Sequence, residues 1–304
     1  MKKLWIIVLV FVFLLVGCQS KVDASIRVYT RDTTSGTRDG FFTTIGFLEA
    51  VSDNSNLANG YVELAGNGDI INAIKNDEYG IGYISLSSLA GSTLKGLTYN
   101  GVSPTEENVL NESYLLKRNF NYIVRTEFSS TNEEQIVTAF IAYLSTKEAK
   151  ATVLGKDGIV AINESDPSWN DIKNDYPIHL ADNSAVTIRF GGSTSVEKIA
   201  KALSAEFSTK CGNFQVEHNH TGSGDAFKRT QGTEKDGANA IHIGFASREF
   251  KLNDAEQAVA ASYGKICVDA IVIVVHPNNV IEGLTQEQIR AIYQGSILLW
   301  SELE

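Results

Sequence analysis

Short apolar strands alternate with helices along most of this chain, and this alternation constrains the fold more than any other feature of the sequence. The segments Ser25–Thr30, Gly80–Leu86 and Val268–Val275 have the composition of strands, the last two of buried ones. Helical periodicity appears over Glu133–Leu144 and Thr285–Tyr293. Strands that alternate with helices pack as layers, so we predict an α/β fold with largely parallel sheets.

A second strand–loop–helix unit follows a polar stretch in the middle of the chain. The stretch, Asn163–Asp182, holds two of the four prolines and is predicted to be a surface linker. Strand Val186–Phe190, loop Gly191–Ser195 and helix Val196–Phe207 come next. The chain has 304 residues, 43% of them hydrophobic and 20% charged, which suits one large globular domain or two lobes. We find no internal repeat in the sequence.

The first 18 residues have the pattern of a secretory signal peptide. A basic head, Met1–Lys3, precedes 13 apolar residues, Leu4–Val16, too few to span a hydrocarbon core of about 30 Å. Leu15–Cys18 resembles the bacterial lipobox, which predicts a lipid on Cys18 and a tether over residues 19–24. The alternatives are an ordinary signal peptide or a short anchor with an incidental cysteine. The lipoprotein reading places the chain on the extracytoplasmic face of the membrane.

Charge and cysteine content limit the possible partners. The net charge of −10 argues against nucleic acid, whose binders need a basic face, but a small anion can still be held by neutral backbone donors. Cys211 and Cys267 could form a disulfide or remain as two buried thiols. Neither cysteine has an accompanying histidine or second cysteine pair, so we expect no zinc and no other cofactor.

Three loops rich in Gly, Ser and Thr each precede a predicted helix. They are Arg31–Arg38 (RDTTSGTR), Gly192–Ser195 (GSTS) and Thr221–Gly224 (TGSG). Helix N-termini expose unpaired N–H groups and the positive end of the macrodipole, so they attract oxyanions. Small hydroxyl side chains add donors, and Arg31 can add a bidentate cation.

Each loop alone has the composition of an ordinary helix cap, and none has the P-loop pattern. Three such loops in one exported α/β chain favour a shared anion site.

These residues resemble the phosphate-binding proteins of ABC importers, the PstS type, which have a type II periplasmic-binding-protein fold. Residues 186–304 resemble the family's amino-terminal half through VTIRFGGSTSVEKIA, NHTGSGDAFKRT and IHIGFASREFK. Residues 25–162 resemble its carboxy-terminal half through RDTTSGTRDGFF, IGYISLSSL and FIAYLSTKEAK. Together they cover nearly all of the predicted mature chain.

The order of the two segments departs from the family pattern. In the family the GSTS loop precedes the SGTR loop, whereas here it follows. The chain therefore resembles a circular permutant in which residues 163–186 join the family's old termini. Termini that lie close together on a surface make such a permutation tolerable. A truncated or misassembled gene is the alternative.

The resemblance implies two α/β lobes joined by a hinge, with the ligand between them. One lobe combines residues 25–117 and 272–304, and the other is 118–271. The implied phosphate ligands, one group from each lobe, are Arg31, Ser35, Gly36 and Thr37 facing Thr194, Ser195 and Ser223. The implied partners are inorganic phosphate, an ABC permease and, through the lipid, the membrane.

Arg248 stands where some family members carry the aspartate that accepts the proton of hydrogen phosphate. It is a candidate second cation for the anion, or one half of a surface ion pair. If a proton acceptor exists, Asp225 and Asp32 are the candidates.

Three other readings compete with phosphate transport. The first is a non-transport module of the same fold that senses an anion or serves adhesion. The second is an exported serine hydrolase, although no G-x-S-x-G elbow is present and we expect no enzyme activity. The third is a metal site at His218 and His220, which alternation on a strand would place on one face without further ligands nearby.

Overall fold

The computed structural model describes residues 24–252 and 255–303, so the predicted signal peptide and Cys18 lie outside the described residues. In the described residues, nine strands form one sheet, eight of them along a continuous hydrogen-bonded path and the ninth paired beside it, and two more strands form a small parallel ribbon. Within the described ranges, no helix is both long enough and apolar enough to cross a membrane.

The first part of the chain builds one half of the molecule. Its elements are β1 Arg27–Arg31, α1 Gly36–Thr44, β2 Val62–Leu64, α2 Asn67–Lys75, β3 Gly80–Ser85, α3 Leu86–Leu89, β4 Lys95–Gly96, β5 Thr98–Tyr99 and α4 Glu106–Leu110. Short 3₁₀ turns cover Leu48–Val51 and Asn54–Asn56.

The second part builds the other half and then returns to the first. Its elements are β6 Lys117–Val124, α5 Thr131–Tyr143, α6 Lys147–Leu154, α7 Trp169–Ile172, β7 Thr187–Gly192, α8 Glu197–Lys210, β8 Gln215–His220, α9 Gly224–Thr230, β9 Ile243–Ala246, β10 Tyr263–Val275, β11 Gly283–Leu284 and α10 Gln286–Gln294. Further 3₁₀ turns cover Lys173–Asp175, Pro177–Leu180 and Trp300–Leu303.

The two halves of the sheet have the same strand order. In one, β2, β1 and β3 run parallel and are followed by β10 and β4; in the other, β8, β7 and β9 run parallel and are followed by β6 and β10. The sheet is therefore mixed rather than largely parallel, because β10 and β6 run antiparallel to their neighbours. This internal symmetry is absent from the sequence as a repeat.

The long strand β10 joins the two halves by changing partner in its middle. Residues 263–270 pair with β6, and residues 271–275 pair with β3. This arrangement agrees with the α/β fold of two similar sheets that the resemblance implies.

Two separate cores support the two halves. Phe41, Tyr83 and Tyr293 pack together in the first, with the rings of Phe41 and Tyr83 stacked at 3.9 Å. Phe140 and Phe207 pack in the second, with ring centroids 5.6 Å apart. We retain as a proposal that these halves move as the two predicted lobes, 25–117 with 272–304 and 118–271.

The segment 163–186, predicted to be a polar surface linker, is in part a core element. Trp169 opens α7 and is buried against Phe207 and Tyr143. Ile178 is buried in the same core. Prolines and polar residues dominate this segment in the sequence, so two isolated apolar anchors were not recognised there. Cys211 and Cys267 are both free and buried.

Residues 24–26 and residues 298–300 are neighbours in space. The predicted permutation implies that the corresponding segments follow one another in the family order. The backbone nitrogen of Ile26 donates to the carbonyl of Leu298 over 2.8 Å, and the nitrogen of Trp300 donates to the carbonyl of Ala24 over 3.1 Å. Residues 298–300 thus lie antiparallel beside residues 24–26, next to the start of β1.

Gly192 at the end of β7 should tolerate no side chain. Its φ is +97°, and a Cβ would overlap the carbonyl oxygen of Phe245 and lie 2.9 Å from the nitrogen of that residue. We expect Gly192→Ala to lower the free energy of unfolding by at least about 3 kcal/mol, since left-handed strain and a backbone clash combine.

Gly60 supplies the matched control for urea unfolding. Its φ is +80° and nothing lies within 4 Å of an added Cβ, so Gly60→Ala should cost only the conformational strain of about 1 kcal/mol. Equal losses in the two variants would contradict the close approach of β7 to β9.

Candidate functional site

The predicted SGTR loop forms the N-terminus of α1, as expected. Ser35 is the N-cap, and its Oγ accepts hydrogen bonds from the backbone nitrogens of Thr37 at 3.2 Å and Arg38 at 3.4 Å. Arg38 is buried and turns away from this end, donating to the carbonyls of Ala50 and Arg31. Arg38 therefore holds the loop, and Arg31 is left as the cation of the site.

Arg31 is a buried guanidinium at the end of β1 with neutral partners. Nη1 donates to Asn67 Oδ1 over 3.0 Å, and Nη2 donates to the carbonyl of Ala65 over 2.6 Å. Longer bonds of 3.4 Å and 3.3 Å reach the hydroxyls of Thr37 and Thr194. These contacts fix the plane of the guanidinium without neutralising its charge.

The nearest counter-charge to Arg31 is weakly placed. The Asp32 carboxylate lies 3.9 Å from Nη2, and Nε is buried with no hydrogen-bond partner among the residues that the structure describes. Burial lowers the pKa of Arg31, and the charge of Asp32 opposes this shift. Burying a cation without a close partner is costly, so this geometry favours an anion.

The loop after β7 brings hydroxyl groups from the second half to Arg31. Ser195 Oγ lies 3.0 Å from Thr37 Oγ1 and accepts a hydrogen bond of 3.0 Å from Asn67 Nδ2. The hydroxyl of Thr194, from the same loop, accepts from Arg31 Nη2 over 3.3 Å. The two halves therefore meet through the predicted site residues.

Ser223, from the loop before α9, completes the cluster together with Ser193 and Ser247. Ser223 Oγ lies 3.0 Å from Ser247 Oγ and accepts from the backbone nitrogen of Ser247 over 3.0 Å. Ser193 Oγ donates to Ser247 Oγ over 2.9 Å. A Cβ on Gly36 would lie 2.6 Å from Ser223 Oγ and 2.7 Å from Ser247 Oγ. Only a glycine allows α1 to approach these serines so closely.

Seven of the eight predicted ligands thus lie together, and the eighth does not. They are Arg31, Ser35, Gly36, Thr37, Thr194, Ser195 and Ser223. Arg248 instead forms a bidentate ion pair with Glu256, with distances of 2.8 Å and 2.7 Å. Of the two alternatives stated for Arg248, the structure has the ion pair.

The two candidate proton acceptors differ in their remaining capacity. Asp225 accepts a hydrogen bond from the Thr221 hydroxyl through Oδ2. Asp32 Oδ1 accepts from the backbone nitrogen of Thr34 over 2.9 Å, whereas Asp32 Oδ2 is buried, lies 3.9 Å from Arg31 Nη2 and has no hydrogen-bond partner within the described part of the chain. Asp32 therefore retains a free acceptor beside Arg31.

Sequence reasoning missed Asn67 and Ser247. Asn67 is the first residue of α2, and Ser247 follows β9 directly. The signal was present for Asn67, because Gly66–Asp69 (GNGD) is a further polar loop before a helix. Ser247 is a single serine between Ala246 and Arg248, outside any Gly/Ser/Thr-rich loop, so composition gives no signal for it.

The two histidines on β8 share one face, as alternation predicts. Their rings lie 5.3 Å apart, and His218 Nδ1 is 3.1 Å from His220 Nε2. Burial lowers the pKa of His218 to about 3 and of His220 to about 4, so both rings are neutral at neutral pH. Ser204 lies 2.9 Å from His218 Nε2, but it is fully buried on α8 and cannot reach an ester.

Comparisons with known proteins agree with this architecture. A profile described as the PBP superfamily domain matches residues 179–304. The phosphate-binding protein PstS 2 of Streptococcus pneumoniae is 26% identical over 301 residues, which cover 96% of this chain and 94% of that protein. PstS 2 of Streptococcus agalactiae is 24% identical over 303 residues, covering 95% of this chain and 93% of that protein.

A solved structure shows the same fold. The phosphate-binding protein of a phosphate ABC transporter from Streptococcus pneumoniae TIGR4 superposes with a TM-score of 0.64 at 24% identity. The superposition covers 92% of this chain and all of that one.

The order of the segments is shared with the PstS 2 relatives. A single alignment runs through nearly all of both chains, so the relatives carry the SGTR-containing half first, as this chain does. In fold and in the extent of the match, the chain is similar to these PstS-type phosphate-binding proteins.

Proposed function

We propose that this protein binds inorganic phosphate between its two halves and delivers it to an ABC importer. The observation that carries the proposal is the buried guanidinium of Arg31, whose paired carboxylate among the described residues, Asp32, lies 3.9 Å away, and which contacts hydroxyl groups from both halves. The names of the relatives, both phosphate-binding proteins, support this choice of anion.

Phosphate has the shape and charge that the cluster requires. Its oxygens point in four directions and accept several hydrogen bonds each, whereas a carboxylate offers two oxygens in one plane. The proposed donors are the guanidinium of Arg31, the start of α1 at Ser35–Thr37, and the hydroxyls of Thr194, Ser195 and Ser223. Charge-assisted bonds to a dianion in a dry site are stronger than neutral ones.

Asp32 supplies the proposed means of distinguishing phosphate from sulfate. Near neutral pH phosphate carries a proton that it can donate, and sulfate carries none. The buried, unpartnered Oδ2 of Asp32 is an acceptor for that proton, and it repels an anion that has no proton to give.

The proposal also covers the role of the protein in transport and its location in the cell. The binding step needs no catalysis, so we propose that the protein is not an enzyme. We propose that Cys18 carries the lipid that holds the protein on the extracytoplasmic face. The halves then close on phosphate, and the closed form docks on the permease.

Titration calorimetry of the purified chain from residue 19 onward, with phosphate and then with sulfate, tests the central claim. We expect one phosphate per chain, and we expect Arg31→Ala to weaken binding at least about 100-fold, or about 2.7 kcal/mol. Arg189→Ala is the matched control, because it removes an equal charge from an exposed pair with Glu217. If the folded wild-type protein shows no phosphate binding in this titration, the proposal is refuted.

Asp32→Asn should alter selectivity more than folding. The amide can still accept at Oδ1 from Thr34, but its amino group replaces the free acceptor with a donor. We expect weaker phosphate binding and stronger sulfate binding than in the wild type, measured by competition between the two anions. Unchanged preference would show that the proton of phosphate is accepted elsewhere.

Arg248→Met should affect stability and leave phosphate affinity within about twofold. Arg248 and Glu256 are nearly buried, so loss of the cation leaves an unpaired carboxylate, at a cost of about 3 kcal/mol. Burial raises the pKa of Glu256, but the hydrogen bonds and charge of Arg248 outweigh it and lower the net pKa.

The pH dependence of the stability of Arg248→Met follows from the lowered pKa of Glu256 in the wild type. A lowered carboxyl pKa stabilises the wild type above the ordinary glutamate pKa, and this stabilisation is lost as the pH falls through the lowered value. The gap in unfolding free energy between wild type and Arg248→Met should therefore be full at pH 7 and should narrow below about pH 4.3. A large loss of phosphate affinity would instead assign Arg248 to the site.

A further inference from the structure

A buried ion pair links the two strands that connect the halves. Arg118 on β6 and Asp269 on β10 are direct partners in the register of these strands. Arg118 Nε and Nη2 donate to Asp269 Oδ2 over 3.2 Å and 3.0 Å, and both side chains are almost fully buried. The pair lies next to the position where β10 leaves β6 and begins to pair with β3.

The other oxygen of Asp269 faces the first half of the molecule. Ser85 Oγ donates to Asp269 Oδ1 over 2.6 Å, and the carboxylate also accepts from the backbone nitrogen of Ser87. Ser85 Oγ and Ser87 Oγ are 2.8 Å apart. The carboxylate thus fixes the turn from β3 into α3, where both serines are buried.

This turn contacts the proposed phosphate loop of the second half. Ser87 Oγ donates to the carbonyl oxygen of Ser195 over 3.3 Å. Ser195 in turn contacts Thr37 and Asn67 through its Oγ, each at 3.0 Å. An unbroken chain of buried hydrogen bonds therefore runs from the connecting strands to the site.

The guanidinium of Arg118 also lies behind α1, the helix whose N-terminus forms the site. A Cβ on Gly40 would lie 3.5 Å from Arg118 Cδ. Nη1 of Arg118 has no hydrogen-bond partner among the residues in the described ranges. The positive charge of Arg118 contributes to lowering the pKa of Arg31. Asp269 pairs closely with Arg118, whereas the carboxylate paired with Arg31 in the described part of the chain is Asp32 at 3.9 Å, so the charge of Arg31 is only weakly balanced.

Stability alone is a weak reason for such a pair. Replacing a buried ion pair with apolar side chains of similar size is often neutral or stabilising, because desolvation offsets the attraction. The contacts of Asp269 with the β3–α3 turn supply another reason, since they orient groups that an apolar pair would release.

Resting on the proposed phosphate function, we propose that Arg118 and Asp269 are positioning residues for the anion site. Through Ser85 and Ser87 they hold the backbone of the Ser193–Ser195 loop in the place where its hydroxyls meet Arg31 and Thr37. Neither residue needs to contact phosphate for this role.

Two double variants separate positioning from charge. Arg118→Met with Asp269→Leu removes both charges and the acceptor for Ser85 and Ser87. Arg118→Met with Asp269→Asn removes the same charges but keeps a carbonyl acceptor of the same size. We expect the leucine variant to bind phosphate at least about tenfold more weakly than the asparagine variant, with both still showing cooperative urea unfolding.

Ser87→Ala tests the same link with the ion pair intact. It removes the hydroxyl that reaches Ser195, so we expect a loss of phosphate affinity of about three- to tenfold. Equal affinity in the two double variants, together with a wild-type value for Ser87→Ala, would overturn the positioning role. Equal loss in both double variants would also overturn it, since charge alone would then account for the effect.

Hydrogen exchange in the phosphate-free protein gives a readout that does not depend on binding. We expect the amides of Ser193–Val196 to exchange at least about tenfold faster in the leucine variant and in Ser87→Ala than in the wild type, while α5 remains unchanged. If the wild type does not bind phosphate but this difference in exchange appears, the proposed phosphate function is wrong and the positioning of the Ser193–Ser195 loop by Arg118 and Asp269 is supported. If the amides do not change, the link itself is wrong.

Discussion

The buried charge of Arg31 is the constraint on which the site depends. Its guanidinium is held by a backbone carbonyl, an amide oxygen and two hydroxyls, none of which carries charge. A buried cation in this position costs free energy unless an anion binds beside it. The fold therefore favours an anionic ligand. β1 delivers Arg31 to this place, because its backbone nitrogen and the hydroxyl of Thr30 both bond to the buried Tyr83 hydroxyl.

The close approach of the two halves follows from small residues on both sides. Gly36 meets Ser223 and Ser247, and the backbone nitrogen of Gly224 donates to the carbonyl of Thr34 over 3.3 Å. Larger side chains would separate α1 from α9 and would expose Arg31 to water, where an anion gains much less from it. The glycine and serine content of these loops is therefore a requirement of contact as well as of hydrogen bonding.

Local patterns in the sequence predicted the elements well and the relation between them less well. Apolar runs and cap residues located β3, α8 and α10 to within about three residues, whereas β10 begins five residues before the predicted run, and the Gly/Ser/Thr loops located most of the cluster. Trp169 and Ser247 were missed because their roles depend on partners distant in sequence, Phe207 and Ser223. The repeated strand order of the two halves left no sequence repeat, since each sheet needs only alternation of apolar residues.

The segment order has a mechanical consequence that does not depend on its origin. Within residues 24–252 and 255–303, the chain passes from the first half to the second near residue 117 and returns near residue 271, so β6 and β10 connect the halves. Any hinge motion must pass through these two strands, and Arg118 and Asp269 tie them together at that level. In the family order the same two strands would connect the same halves, because joining residue 304 to residue 25 changes neither crossing. Permutation can therefore move the chain ends without changing which strands connect the halves.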